Sequence, residues 1–277
     1  MTLPPERLLD SSDPLVIFMH LPKTAGSTLS RIMERQYPAT GILRLYESGT
    51  GAELGGLSED RLNALRVVMG HFSFGAHRFV SRPCAYVTVL REPVDRVISH
   101  YYYVRSEPTH YLFEAAQQLS LSEFVRYCNL AEPNNDQTRL LCGEYETSIP
   151  PSCGQAMLEL AQQHLRDHFA GVGLTEEFDR TLVLMKRVLR WHYPFYVRQN
   201  VGRRRPPRTA LSNDTVRVIQ EYNRLDGELY RFGQALFREQ VQSQGRTFHA
   251  ELQLFAWLNP VLGRLGSLAS WPIGRRP

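Results

Sequence analysis

Two kinds of apolar pattern alternate along the chain. One short run, Leu15–Met19, is unbroken, and mostly apolar runs occur at Arg66–Gly70, Ala85–Leu90 and Phe169–Leu174. Runs this short, rich in β-branched and aromatic residues, read as strands buried on both faces. Between them apolar residues recur at three-to-four spacing, which predicts helices with one buried face. The first follows Gly26 with Leu29, Ile32, Met33 and Tyr37, and Tyr37-Pro38 stops it. Others are predicted from Ser58 to Leu65, from Pro93 through Tyr101 and on to Leu119, over Ser122–Cys128, and over Ser152–His168. A helix from Glu177 to Trp191 turns Phe178, Leu182, Met185 and Leu189 inward, with Thr175 as its N-cap. A long helix from Ser212 carries Val216, Ile219, Tyr222, Leu229, Phe232 and Leu236 on its apolar face, interrupted at Leu225 and Asp226. Gly41–Gly56 is glycine-rich, with Ile42, Leu43 and Leu45 as a further short strand. Strands alternating with helices predict an α/β fold: a central, mainly parallel sheet with helices on both faces.

The chain has 277 residues, which suits one large domain, placed at 15–250 after a polar leader at 1–14. Residues 251–277 form an apolar and basic tail, broken by Pro260 and Arg264, whose first expectation is packing on the core; a homodimer contact and contact with a membrane surface are left open. The net charge of +4 favours an anionic ligand without requiring nucleic acid. The first 13 residues lack the apolar core of a signal peptide, and no stretch reaches about 18 charge-free apolar residues. Neither a membrane span nor export is expected, and the expected location is cytoplasmic. Cys84, Cys128, Cys142 and Cys153 form no C-x-x-C pair, so buried thiols are expected and no metal; a Cys142–Cys153 disulfide is the alternative for an exported protein.

Candidate chemistry concentrates where the first strand turns into the first helix. There Leu21-Pro22-Lys23-Thr24-Ala25-Gly26-Ser27-Thr28 offers backbone N–H groups at a positive helix end, a lysine, and the hydroxyls of Thr24, Ser27 and Thr28. These suit a phosphate. The order is not that of a Walker A loop, because no glycine precedes Lys23. It resembles the 5′-phosphosulfate loop of the sulfotransferases, in the wording of the glycan group that includes the heparan and uronyl 2-O-sulfotransferases and their bacterial relatives. A second segment strengthens this: Arg91 ends the Ala85–Leu90 strand and Ser99 follows about two turns into the next helix. The pair is similar to the family's 3′-phosphate motif, and an arginine fork suits phosphate oxygens.

Gly70-His71-Phe72-Ser73-Phe74-Gly75 closes another strand and is similar to the family segment that carries the catalytic base. His71 is therefore the expected base, ahead of His20, His77, His100 and His110; Ser73 stands where some relatives have a second histidine. Asn134–Gly143 resembles an Asn-x-Gln-Thr-Arg segment of bacterial relatives, so its polar residues, Arg139 among them, face acceptor or cofactor, or else the segment is a helix start with a solvated arginine. Arg203, Arg204, Arg205 and Arg208 lie in a proline-limited basic loop that is either solvated or in contact with substrate.

The resemblance covers about Leu15 to Phe237 and implies a P-loop-kinase-like architecture. It also implies transfer of a sulfuryl group from 3′-phosphoadenosine-5′-phosphosulfate (PAPS) to a hydroxyl on a glycan, with PAP as product and no metal. Lys23 and His71 would be catalytic; Lys23, Thr24, Ala25, Gly26, Ser27, Thr28, Arg91 and Ser99 would hold the nucleotide. The competing readings are a small-molecule kinase, marked by a magnesium requirement, and a nucleotide- or glycan-binding relative without turnover.

Overall fold

The computed structural model of the protein describes residues 14–45, 51–128, 133–143, 154–197 and 206–266. Within them the chain runs β1 (Leu15–Met19), α1 (Gly26–Gln36), β2 (Ile42–Leu45), α2 (Glu59–Ala64), β3 (Val67–Gly70), β4 (Cys84–Leu90), α3 (Pro93–Val104), α4 (Phe113–Gln118), α5 (Leu121–Tyr127), α6 (Asp136–Cys142), α7 (Gln155–His168), β5 (Phe169–Leu174), α8 (Phe178–Val188), α9 (Asn213–Tyr222), α10 (Arg224–Gln242) and α11 (Thr247–Gly266). The leader residues 1–13, Cys153, Arg203, Arg204, Arg205 and the tail beyond 266 lie outside the described residues.

The strands form one sheet in the order β2-β3-β1-β4-β5. All four pairings are parallel, with Ile17 opposite Val68 on one side and Tyr86 on the other. Every residue of β1, β3, β4 and β5 is buried, which is why these segments read as mostly apolar runs. From β1 the chain departs towards β2, whereas from β4 it departs towards β5. The β1/β4 crevice is therefore the topological switch point, where open α/β sheets bind ligands at the strands' carboxyl ends.

Several expectations change. The helix expected to continue from Tyr101 to Leu119 ends at Val104 and resumes as α4, because Pro108 and the residue before it resist helical continuation. The long helix from Ser212 is two helices parted at Asn223, whose side chain accepts from Asn135 N–H at 3.1 Å and donates to Ile219 C=O at 3.1 Å. Leu225 and Asp226, the apparent interruption, are buried. Thr175 does not cap the following helix; its hydroxyl donates to Leu90 C=O at 3.1 Å. Pro260 does not break α11: removing one backbone donor is offset by burial of Phe248 and Phe255 and by Tyr196 N–H donating to Asn259 Oδ1 at 2.8 Å. Lys186 and Arg187 of α8 both pair with Glu251, each at 2.6 Å, so this part of the tail packs on the core.

A histidine cluster ties the fold to pH. Phe74 lies against His77, His164 and His168, with ring centroids 5.2, 3.9 and 5.1 Å away. Burial lowers all three pKa values from about 6.5, that of His77 to about 4. It lowers His20 to about 3 and holds His100 well below its usual value. Below the ordinary pKa the unfolded chain takes up protons that the folded one refuses. The stability these groups support is thus full above pH ~6.5 and is lost as pH falls towards their folded pKa values. Glu92, raised by burial, works in the opposite sense but is one group against five. The urea midpoint is expected to be clearly lower at pH 5 than at pH 7.5; equal midpoints would contradict the cluster's burial.

Candidate functional site

The loop between β1 and α1 is shaped by two left-handed residues, Lys23 and Ala25, each at φ 67°. This kind of turn directs successive N–H groups to one side and forms an anion-binding concavity. No side chain caps α1, and its first turn holds no acidic residue. Both features suit a bound anion. Ser27 is exposed and Thr28 half-buried, so both hydroxyls are within reach of a ligand. Thr24 differs from expectation: it is 1% exposed and its hydroxyl donates inward to Leu21 C=O at 2.8 Å. A hydroxyl has one proton to donate, so Thr24 shapes the loop rather than offering its hydroxyl to the phosphate.

Arg91 leaves the end of β4 and reaches across the switch-point crevice. Its Nη1 donates to Lys23 C=O at 2.8 Å, joining the two phosphate-type segments directly. One such bond does not exhaust a guanidinium with five donors. Ser99 is half-buried on α3, and Tyr103, one turn further on, lies under the Lys23 ammonium, 3.9 Å from Nζ to the ring centroid. The cradle, Arg91 and the Ser99 face of α3 therefore share one site.

His71 follows Gly70 at the end of β3. A side chain at position 70 would put its Cβ 1.6 Å from Leu45 C=O, so glycine is required for β2 and β3 to close there. His71 Nδ1 lies 2.7 Å from His20 C=O. A carbonyl can only accept, so Nδ1 carries the proton and Nε2 carries the lone pair. His20 lies beside it with its ring tilted by 37°, centroids 4.3 Å apart, and its ring fills the space a Cβ on Gly26 would need, at 1.8 Å. Burial, then the nearby His71 and Lys23, keep His20 neutral with its pKa at about 3. That makes it a poor proton acceptor and a rigid link between His71 and the cradle. His77 does not lie at this edge: it packs on Tyr86, Nδ1 to hydroxyl 3.0 Å, well before the end of β4. His100 is buried in α3 with its pKa held well down.

Arg139 is not solvated. It is 7% exposed and its Nε donates to Asn134 C=O at 3.0 Å. Arg208 stands in a short 3-10 turn and pairs with Glu92 at 3.2 Å. Gln137 stood out in the sequence only as one member of a polar run; its amide bonds both backbone groups of Arg91. The polar run Asn134–Arg139 marked the segment, but not the direction in which it faces.

A parallel sheet with a left-handed loop after β1 and an arginine reaching that loop at the switch point defines an α/β protein. The Galactose-3-O-sulfotransferase family model matches residues 55–253, and the chain belongs to this family. The match includes His71, Arg91 and Ser99 and begins after β2, so the cradle lies before it. The chain is 28% identical over 254 residues to galactosylceramide sulfotransferase of Bos taurus, covering 83% of this chain and 58% of that protein. It is 26% identical to heparan-sulfate 6-O-sulfotransferase 1 of Homo sapiens, covering 83% of this chain and 67% of that one. Among solved structures, a sulfotransferase from Alicyclobacillus acidocaldarius aligns with TM-score 0.43 and 16% identity, over 82% of this chain and 97% of that one.

Proposed function

We propose that the protein transfers a sulfuryl group from PAPS to a glycan hydroxyl, releasing PAP. The observation that carries this reading is the Arg91–Lys23 bond, which brings the Lys23 loop and Arg91 into one crevice; the reading assigns them the 5′- and 3′-phosphates. Bound there, the donor supplies the activated sulfuryl group. Loop N–H groups with the Ser27 and Thr28 hydroxyls hold the 5′-phosphate, and Arg91 with Ser99 holds the 3′-phosphate. Lys23 offsets charge on the leaving phosphate, and His71 Nε2 takes the acceptor proton. Positioning and electrostatics supply most of the rate. The acceptor class is supported by the family and by relatives named for galactosylceramide and heparan sulfate.

A reducing, cytoplasmic setting is part of the proposal. It is supported by the buried thiol of Cys84, which donates to Arg82 C=O at 3.4 Å. Among the described residues no helix is long and apolar enough to cross a membrane.

The test is transfer from radiolabelled PAPS to a panel of galactosyl glycolipids and heparan-type polysaccharides, without metal. PAP binding without transfer to any acceptor would leave a binding protein; turnover that needs ATP and magnesium would favour the kinase. Arg91→Ala removes charge-assisted bonds of about 1.5–3 kcal/mol. It is expected to weaken PAP by roughly tenfold to a hundredfold and adenosine 5′-phosphate much less. Equal losses in calorimetry would refute the 3′-phosphate role.

A further inference from the structure

Arg91 sits on an elbow whose backbone is held by side chains from elsewhere in the chain. Leu90 C=O accepts from the Thr175 hydroxyl at 3.1 Å, and Glu92 N–H donates to Glu176 Oε1 at 3.0 Å. Between them Gln137 closes a two-bond clamp: Arg91 N–H donates to its Oε1 at 3.0 Å and its Nε2 donates to Arg91 C=O at 3.0 Å. Gln137 is 1% exposed and so cannot turn to solvent.

Its own position is fixed by a buried ionic lattice. Asp226 of α10 accepts from the N–H groups of Gln137 at 3.2 Å and Thr138 at 2.8 Å, and from the Thr138 hydroxyl at 2.8 Å. It thereby caps α6 from a distant helix. Arg96, fully buried in α3, pairs with Asp136 at 3.1 Å and Asp226 at 3.8 Å. Asn135 Oδ1 in turn accepts from Asp226 N–H at 3.0 Å. A buried ion pair is weak evidence of stability, but it fixes register well. Here it fixes α3, α6 and α10 around one glutamine amide.

We propose that Gln137 is a positioning residue for 3′-phosphate recognition: its amide locks the Arg91 backbone so that the guanidinium spans the cradle and the 3′-phosphate together. This rests on the role given to Arg91 above. A glutamine suits the role, because a side-chain amide accepts from N–H and donates to C=O of the same residue and stays neutral at any working pH.

The test is the ratio of PAP to adenosine 5′-phosphate affinity, measured by calorimetry on the full chain and read against wild type at each pH. Gln137→Met keeps volume and removes both bonds; it is expected to lower the ratio about tenfold, mainly through PAP. Gln137→Glu keeps the acceptor, but when ionised it turns a carboxylate on Arg91 C=O. Its ratio is expected to be low at pH 8 and to recover towards wild type near pH 6, where a protonated carboxyl again donates. Recovery under the more acid condition is not what a destabilised fold would give, and it keeps the proposal testable if the methionine variant does not fold. Arg91→Ala run alongside separates the two ideas. If Arg91→Ala lowers the ratio and neither glutamine variant does, or if both weaken the two ligands equally, positioning by Gln137 is overturned while Arg91 stands. If Arg91→Ala leaves the ratio unchanged, the reading beneath it fails.

Discussion

Replacing His71 by alanine is expected to lower kcat by about 10²–10⁴-fold while leaving PAP affinity within about twofold. A sugar hydroxyl attacks poorly until its proton is taken as the new bond forms. His71 is prepared for that step by its neighbours rather than by its own chemistry alone. The bond to His20 C=O fixes the tautomer and leaves Nε2 as the basic nitrogen. His20 stays neutral beside it, so no second positive imidazole disturbs the base. Nucleotide affinity is spared because the histidine holds none of the cradle or Arg91 groups assigned to phosphate. The wild-type rate should fall as pH drops through the histidine's pKa, and the variant should lose that limb. His20→Ala makes a useful contrast: it opens a void beside Gly26 and should disturb PAP binding as well as rate. Turnover near wild type in His71→Ala would remove it as the base, and with it the enzyme reading's main support at this strand end.

Much of the site was legible because of how parallel sheets are built. Strands buried on both faces leave continuous apolar runs, and their ends mark where a ligand can sit. β1, β3 and β4 were bounded to within a residue, and Lys23, His71 and Arg91 fell at their carboxyl ends for that reason. What failed was the polar interior. Asp226 read as a break in an apolar face and Arg139 as a candidate for solvent, since sequence alone shows polarity but not the partner that satisfies it. Gln137, Asn223 and Asp226 are satisfied by residues some 46 to 91 positions away. Thr24 failed for a local reason: its hydroxyl turns back on a carbonyl three residues earlier, a choice that follows from the left-handed turn at Lys23.

Lys23→Ala is expected to reduce kcat by about 10²–10³-fold, the cost of removing one preorganised group from developing charge. The substitution separates charge from loop geometry. Alanine does not relieve the left-handed backbone at φ 67°, and the Lys23 carbonyl that receives Arg91 stays in place. The ammonium now rests on the Tyr103 ring at 3.9 Å. At a partly exposed site such a contact is worth about 0.5–1 kcal/mol, too little to keep the ammonium from a phosphate that offers a charge-assisted bond. The ring thus parks the lysine within reach of the cradle without competing for it. If its charge acts where negative charge grows on the leaving phosphate, kcat must fall by a larger factor than PAPS affinity, because the phosphate oxygen still bonded to sulfur in the intact donor does not yet carry that charge. The comparison is single-turnover rate against the PAPS dissociation constant for the same variant. A loss confined to donor KM with kcat unchanged would make Lys23 a binding group only, and would leave charge development on the phosphate to the helix end and the loop N–H groups.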